Sequence, residues 1–274
     1  MFGSEIRREI GETAARLAVE PAALAAVVEV ESAGRLFAVV DGRREPLIRF
    51  EGHYFHKHLP REKRAAAVEA GLASPKARRV ANPRTQEGRW RLLSRAMGID
   101  RAAALHAVSW GVGQVLGAHW HWLGYGSVDD LVAEARNGAA GQLRLMARYI
   151  DRAGLARALR DRDWHAFARG YNGPAYARHG YHEKLAAAYR RHAAATCRTQ
   201  TRQLLRSGSR GADVRALQQC LTAAGFAVAA DGWFGRRTEK AVRAFQTASD
   251  LAADGIAGPL TLAALEQGRA IRAA

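Results

Sequence analysis

The sequence predicts a mainly helical protein of two domains. Through residues 1–196, apolar side chains recur at the three- and four-residue spacing of amphipathic helices. Residues 46–51 alternate instead and predict one short strand. The C-terminal part holds a near-repeat, ADGWFGRRTEKAV from Ala230 and ADGIAGPLTLAAL from Ala253. With 274 residues, 48% of them hydrophobic, the chain is long enough to form two cores.

The first domain contains seven helical patterns and little other periodicity. They cover residues 4–17, 21–32, 89–97, 127–136, 141–152, 164–169 and 181–192. Between the second and third patterns, Asp41-Gly42 suits a hairpin turn. Residues 71–87 form an unusually long connection, which suggests a functional or mobile segment.

The second domain is predicted to be three short helices joined by Asp-Gly turns. The helix RGADVRALQQCLTAAGF precedes the two repeat copies, and each copy runs from a turn into a helix. This pattern closely resembles the peptidoglycan-binding module of many cell-wall hydrolases. The expected boundaries are a domain at 1–196, a polar linker at 197–203 and the module at 204–274. The resemblance implies these wall-binding residues: Asp231, Trp233, Phe234, Arg237 and Asp254.

The composition limits the classes of partner and compartment. A net charge of +16 indicates attraction to a polyanion such as nucleic acid, anionic lipid or the bacterial envelope. The two cysteines, Cys197 and Cys220, are too few for a disulfide scaffold and are expected to be thiols. The N-terminus lacks the apolar core of a secretion signal, and no apolar run could span a bilayer. These features predict a soluble chain made in the cytoplasm, without stable membrane insertion. We also expect a monomer.

Two glutamates lie near the end of the second helix, and their spacing separates them. Glu31 follows Leu24, Val27 and Val28 at helical spacing and is therefore expected on the apolar face, whereas Glu29 projects elsewhere. Apolar surroundings and the negative end of the helix dipole both disfavour the charged form, so the pKa of Glu31 should be raised. The residue is a candidate general acid or, equally, a buried structural glutamate.

Three ordered motifs decide between these alternatives: VESAG from Val30, SWGVGQVLG from Ser109 and GYNGPAYA from Gly170. Their order resembles goose-type lysozymes and lytic transglycosylases, and the first half more specifically resembles the N-acetylmuramidase domain of bacteriophage endolysins. The resemblance implies a lysozyme-like helical fold with a short β element. It implies Glu31 as the proton donor in cleavage between N-acetylmuramic acid and N-acetylglucosamine. It also implies these substrate-binding residues: Ser109, Gln114, Tyr171 and Asn172, with Trp110 and Tyr125 as sugar platforms or, more often for such aromatics, core residues.

A second carboxylate is expected in many glycosidases, and the sequence leaves its identity open. The candidates are Asp41, Glu45 and Glu51; turn chemistry at Asp41 and an ion pair of Glu51 with Arg49 are the structural alternatives. Attack by water would make the enzyme a hydrolase of the lysozyme type. Attack by the muramoyl 6-hydroxyl would make it a lytic transglycosylase with 1,6-anhydro products. The resemblance favours hydrolysis.

Two other classes compete with this interpretation. A zinc peptidase or amidase is suggested by the histidines His53, His56 and His58, but no His-Glu-x-x-His motif occurs and we expect no metal or cofactor. A basic nucleic-acid-binding or membrane-binding protein is suggested by the Arg-rich runs REKR and KARR, but no nucleic-acid recognition motif accompanies them, and attraction to a negatively charged envelope explains the charge equally well. The prediction is therefore a phage-type endolysin that acts on peptidoglycan. It would reach the wall with the help of a separate membrane-permeabilising protein and cause host lysis.

Overall fold

Helices dominate the computed structural model, which describes residues 2–200 and 204–266 and gives backbone alone for residues 194–200 and 266. The chain divides into two units, Met1–Tyr181 and His182–Ala274. Both units are mainly helical, and the first also holds short strands. The predicted fold class is confirmed.

The first unit has these elements in chain order. The helices are α1 (Ser4–Arg16), α2 (Pro21–Ser32), α3 (Gly52–His58), α4 (Arg61–Glu69), α5 (Gln86–Ile99), α6 (Arg101–His106), α7 (Val128–Arg136), α8 (Gly138–Arg152), α9 (Ala156–Arg160) and α10 (Trp164–Asn172). The strands are β1 (Phe37–Val40), β2 (Arg43–Pro46), β3 (Ile48–Phe50), β4 (Val108–Trp110) and β5 (Val115–Leu116). Short 3-10 turns occupy Gly117–His119 and Tyr176–His179.

Local sequence signals fix several of these boundaries. Asp41 and Gly42 have φ of +47° and +75° and join β1 to β2, as a two-residue hairpin turn requires. The predicted strand at residues 46–51 is β3. Helix α5 begins earlier than predicted because the Thr85 hydroxyl accepts a hydrogen bond from the Gly88 amide at 3.1 Å and caps its N-terminus.

The strands β3, β4 and β5 form an antiparallel sheet in that order, with Arg49 opposite Ser109 and Ser109 opposite Leu116. The outer edge of β3 is completed by side chains. Asn82 bonds both the amide and the carbonyl of Phe50, at 2.9 and 2.6 Å. These bonds attach the long connection predicted at residues 71–87 to the sheet and bring part of it beside β3.

The α2 helix is almost wholly buried. It packs against α1, which also packs against α8. Its residues 22–28 are all buried, whereas residues 29–31 near its C-terminal end are only partly buried. Ala33 ends the helix in the left-handed conformation with φ of +51°, and Gly34 follows with φ of +76°. A rigid core helix therefore delivers Glu31 to its position.

Helix α11 (Tyr181–Gln200) overruns the predicted linker. Residues 197–200, expected to be irregular, are helical, because the alanines that precede them favour continuation of the helix. Residues 201–203 lie outside the described part of the chain, as does the side chain of Cys197. Cys220 is a buried thiol whose Sγ lies 3.5 Å from the carbonyl oxygen of Ala193. Among the described residues, no helix is long and apolar enough to cross a membrane.

The predicted three-helix module is present as α12 (Ala212–Ala223), α13 (Arg236–Ala248) and α14 (Pro259–Glu266). Its core includes Phe234 and Phe245, both almost fully buried. The segment before α12 pairs with both repeat turns through backbone bridges, Leu205 with Ala257 and Arg210 with Trp233. Residues 267–274 of the predicted module lie outside the described residues.

Candidate active site

Glu31 lies in the last turn of α2 and is partly buried. Its Oε1 accepts a hydrogen bond of 2.8 Å from Nδ2 of Asn172. Burial raises the pKa of the Glu31 carboxyl, and the bond from Asn172 opposes that shift in part. The Glu31 carboxyl therefore keeps its proton to a higher pH than an ordinary glutamate, and the Asn172 amide can donate to it once it is ionised.

Asn172 and Tyr171 end α10 and connect Glu31 to the sheet. The Tyr171 hydroxyl donates a 2.7 Å hydrogen bond to the carbonyl of Gly113. Burial raises the pKa of Tyr171 well above its usual range, and the nearby Glu31 carboxylate adds to the shift. Tyr171 therefore remains a neutral donor beside the acid. The Asn172 Oδ1 is buried and has no hydrogen-bond partner within the part of the chain that the structure describes.

The glycine-rich segment between β4 and β5 must approach α8 and α10 closely. A Cβ on Gly113 would lie 2.9 Å from the Met146 Cβ and 3.0 Å from the Tyr171 hydroxyl, so a larger residue would displace the tyrosine. The Gln142 Oε1 accepts from the Val112 amide at 2.9 Å and fixes the segment from the side of α8. These contacts explain why glycine occurs in this motif.

A cleft with a volume of about 450 Å³ opens beside this segment. It contains polar, charged and aromatic groups, a composition suited to a sugar chain. Three predicted substrate-binding residues line it: Ser109, Gln114 and Tyr171. Residues that the sequence did not single out also line it, namely Tyr54, Arg78, His119 and Tyr149. Tyr171 is shared by the cleft and the surroundings of Glu31, so the acid lies next to the Tyr171 end of the cleft.

The structure separates the candidates for a second carboxylate. Glu51 lines the cleft; its Oε1 accepts from Nε of Arg49 at 2.8 Å, and its Oε2 lies 3.7 Å from Nδ1 of His53. Asp41 is exposed in the β1–β2 turn and does not line the cleft. Glu45 is buried and paired with Arg136. Glu51 is therefore the candidate whose position fits chemistry in the cleft.

Two aromatic residues predicted as sugar platforms lie elsewhere. Trp110 is 1% exposed, and its indole donates to the Leu105 carbonyl at 3.3 Å, so it is a core residue. Tyr125 packs against the core with Arg148 stacked over its ring at 4.8 Å, and burial raises its pKa to about 12. The platform role of Trp110 is therefore corrected to the core role, which was the other alternative, whereas Tyr125 is only partly buried and its platform role stays a prediction.

The histidines of the first unit do not converge on a common point. The rings of His58 and His106 lie 4.9 Å apart, and burial lowers the pKa of both. His53 lies at the cleft beside Glu51. Among the residues whose side chains the structure describes, 2–193 and 204–265, no group of three or more His, Cys, Asp or Glu side chains could hold a metal ion.

The C-terminal module contains a duplicated hydrogen-bond arrangement that the sequence prediction missed. The Gln218 Nε2 donates to Asp231 Oδ1 at 2.8 Å and to Thr238 Oγ1 at 2.9 Å, while its Oε1 accepts from the Gly232 amide at 2.8 Å. The Gln246 amide makes the equivalent three contacts in the second copy, with Asp254, Thr261 and Gly255. Asp231 and Asp254 therefore each stabilise the turn of their own repeat copy, through the glutamine of the preceding helix.

The remaining predicted wall-binding residues differ in exposure. Phe234 is fully buried, so its expected role in wall contact is corrected to a core role. Trp233 is 41% exposed, and the guanidinium of Arg210 lies 3.7 Å from its ring centroid. Arg237 is exposed. Trp233 and Arg237 therefore stay the candidates that a ligand could contact.

A helical fold, one acid with raised pKa at a helix end and an adjacent polar cleft define a lysozyme-like class of protein. Residues 20–193 match the family model of N-acetylmuramidase, and residues 210–265 match that of a peptidoglycan binding domain. Since the first match covers more than half of the sequence, the chain belongs to the N-acetylmuramidase family.

Individual proteins show similarity to different parts of the chain. The crystal structure of the Burkholderia AP3 phage endolysin is 34% identical with a TM-score of 0.60, and the match covers 68% of this chain and 70% of that one. The N-acetylmuramoyl-L-alanine amidase CwlL of Bacillus licheniformis is 44% identical over 68 residues, which are 24% of this chain and 19% of the amidase. The chain thus spans about a fifth of the length of this amidase.

Proposed function

We propose that this chain is an endolysin that hydrolyses the bond between N-acetylmuramic acid and N-acetylglucosamine in bacterial peptidoglycan. The observation that carries the proposal is the placement of Glu31, whose raised pKa and hydrogen bond to Asn172 suit a general acid. Family membership supports the substrate class, and similarity to a phage endolysin supports the biological role.

Glu31 would begin the reaction protonated and donate its proton to the glycosidic oxygen as the bond to the anomeric carbon breaks. The carboxylate that forms would then be stabilised by the Asn172 amide, which already donates to Oε1. Tyr171 would keep the glycine-rich wall of the cleft in position through its bond to Gly113. The acid, the stabilising donor and the cleft wall are therefore coupled through α10.

The second step would use water positioned by Glu51. This carboxylate lines the cleft and is oriented by Arg49 and His53, which supports a role in directing a water molecule to the positively charged sugar. Intramolecular attack by the muramoyl 6-hydroxyl, as in a lytic transglycosylase, is the alternative outcome of the same first step. The two outcomes leave chemically different ends on the product.

Product analysis of digested peptidoglycan tests the proposal. Wild type should release muropeptides with reducing N-acetylmuramic acid ends, visible by mass spectrometry, and Glu31→Gln should lower the rate by about 10²- to 10⁴-fold. Glu29→Gln, the same substitution on the same helix, is the matched control and should retain activity. Anhydro-muramoyl ends would replace the hydrolase with a transglycosylase, and cleavage by Glu31→Gln at the wild-type rate would remove the proposed acid.

A zinc-dependent amidase or peptidase is the second candidate, favoured by similarity to the amidase CwlL over 68 residues. An amidase would cut the bond between the sugar and its peptide, so the same mass spectra would show peptide-free glycan. Treatment with a metal chelator should leave the proposed muramidase fully active. Loss of activity on chelation and its return with added zinc would favour the amidase.

Wall binding is proposed for the exposed face of the C-terminal module that carries Trp233 and Arg237. An indole face backed by Arg210 could contact sugar or peptide, and the basic charge of the chain favours a negatively charged envelope. In sedimentation with insoluble walls, Trp233→Ala should leave more protein in the supernatant. Leu260→Ala, at a side chain that is 76% exposed in the same module, is the control. Equal sedimentation of the two variants would exclude Trp233 from wall contact.

The endolysin role includes the sequence-based expectation of storage in the host cytoplasm and access to the wall through a separate membrane-permeabilising protein. Similarity to a phage endolysin supports this order of events. Expression of the protein inside host cells, with and without an agent that permeabilises the inner membrane, would test it. Rapid lysis from inside intact cells, without a permeabilising protein, would contradict the expectation.

A further inference from the structure

Trp122 is a large exposed aromatic side chain at the edge of the cleft. It is 42% exposed, whereas Trp110 of the same unit is 1% exposed. Its ring lies edge-to-face with two cleft residues, 5.6 Å from the His119 centroid and 5.7 Å from the Tyr149 centroid. The partly exposed indole therefore adjoins the aromatic residues that line the cleft.

The backbone around Trp122 is held by hydrogen-bonded turns. The Leu123 amide donates to the His119 carbonyl at 2.9 Å, and the Gly124 amide donates to the His121 carbonyl at 2.9 Å. Leu123 is 2% exposed and anchors the loop in the core, while Gly124 has the φ of +79° that the turn requires. Trp122 is thus presented in a defined place before any ligand arrives, which lowers the entropic cost of contact.

The ring contacts leave a chemical surface suited to a sugar. Aromatic side chains combine a broad apolar face with a polar edge, and the apolar face of a pyranose ring can lie against such a surface. The neighbouring His119 is partly buried, and this burial lowers its pKa and so favours the uncharged ring, which can both donate to and accept from hydroxyl groups. The patch therefore offers both stacking and hydrogen bonding.

We propose that Trp122, supported by His119 and Tyr149, forms an additional sugar subsite that extends the cleft along the glycan strand. The inference rests on the proposed muramidase function, because it takes the ligand in the cleft to be a glycan. Continuity with the cleft identifies the occupant as the same strand. The consequence is a preference for long strands over short fragments.

The test is the dependence of kcat/KM on chain length, measured with soluble alternating N-acetylglucosamine and N-acetylmuramic acid oligomers from four to eight sugars. For wild type, kcat/KM should rise with length. Trp122→Ala should lower kcat/KM for the longest oligomer by about tenfold, through KM, and leave the shortest nearly unchanged. Trp122→Phe should restore most of the effect, since it keeps an aromatic face. Val68→Ala, at a 45% exposed side chain of α4, is the surface control.

A loss of the same size at every length, or no loss at any length, would overturn the subsite. Binding of the octasaccharide, measured by calorimetry in the Glu31→Gln background, separates this result from failure of the proposed mechanism. About tenfold weaker binding on adding Trp122→Ala would support the subsite even if product analysis assigned the cleavage to another bond. Equal affinity would overturn it.

Discussion

The two units of the chain place carboxyl groups in opposite surroundings. In the first unit, Glu31 is partly buried with a hydrogen bond from Asn172, and burial raises its pKa. In the module, Asp231 and Asp254 lie at exposed turns and accept bonds from both a backbone amide and a glutamine side chain, which lower their pKa. A buried carboxyl with few hydrogen-bond donors has a raised pKa and is suited to proton transfer. A carboxyl with several hydrogen-bond donors has a lowered pKa and is suited to stabilising a turn.

The largest expected effect concerns two adjacent residues of the module, and it separates core from surface. Phe234→Ala should lower the free energy of unfolding of the module by about 3 to 5 kcal/mol, because a fully buried ring is removed. Trp233→Ala should change it by about 0.5 kcal/mol or less, as is usual for exposed positions. Chemical denaturation monitored by circular dichroism measures both. Similar losses for the two variants would contradict the distinction between core and surface.

The duplicated glutamines should give the next largest effect. Gln218→Ala removes the shared partner of the Asp231 turn and leaves buried groups without hydrogen bonds, which should cost about 2 to 4 kcal/mol. Gln246→Ala should cost a similar amount, because its contacts are equivalent. Gln219→Ala, one residue along α12, provides the control in denaturation experiments. A large effect in one copy alone would show that the two turns are not energetically equivalent.

Glu31→Gln should stabilise the first unit while it strongly lowers activity. A carboxyl whose folded pKa is raised destabilises the folded state above its ordinary pKa of 4.5, because ionisation is easier in the unfolded chain. Removing the charge should therefore raise the free energy of unfolding at pH 7, where the Glu31 carboxyl is ionised in the unfolded chain. The gain should vanish well below pH 4. Denaturation at both pH values measures it, and a gain that persists at low pH would point to altered packing.

The smallest expected effect comes from the donor that opposes the pKa shift. Asn172→Ala removes the hydrogen bond that lowers the pKa of Glu31, so that pKa should rise further and the alkaline limb of the pH–activity profile should move to higher pH. A purely structural role of Asn172 would lower activity without moving the limb. The profile of kcat/KM against pH distinguishes the two.

The helical fold and the position of the acid could be predicted because their signals are local. Pro21 at the start of α2 and the apolar spacing before Glu31 act within one helix, and α2 runs over the predicted residues. The Asn172–Glu31 contact joins positions 141 residues apart, and no local pattern specifies such a pair. Only the resemblance of motifs suggested that both belong to one site. The cleft residues His119 and Tyr149 were missed for the same reason.

The glutamine pair of the module was missed because the repeat does not keep one register. Asp231 follows Gln218 by 13 residues, whereas Asp254 follows Gln246 by 8. When the two copies are aligned on their Asp-Gly turns, Gln218 and Gln246 therefore do not fall at equivalent positions. A search that allowed an insertion between helix and turn would have matched LQ at Leu217 with FQ at Phe245.

Direct titration of the carboxyl groups tests the central contrast. With ¹³C-labelled Glu and Asp in the full chain, nuclear magnetic resonance can follow Glu31, Asp231 and Asp254 in one experiment, with Glu31→Gln identifying the glutamate signal. The pKa of Glu31 should lie above its ordinary value of 4.5, and those of both aspartates should lie below 3.8. A Glu31 carboxyl that titrates at or below 4.5 would contradict the account, because it would not hold its proton for transfer to the glycosidic oxygen.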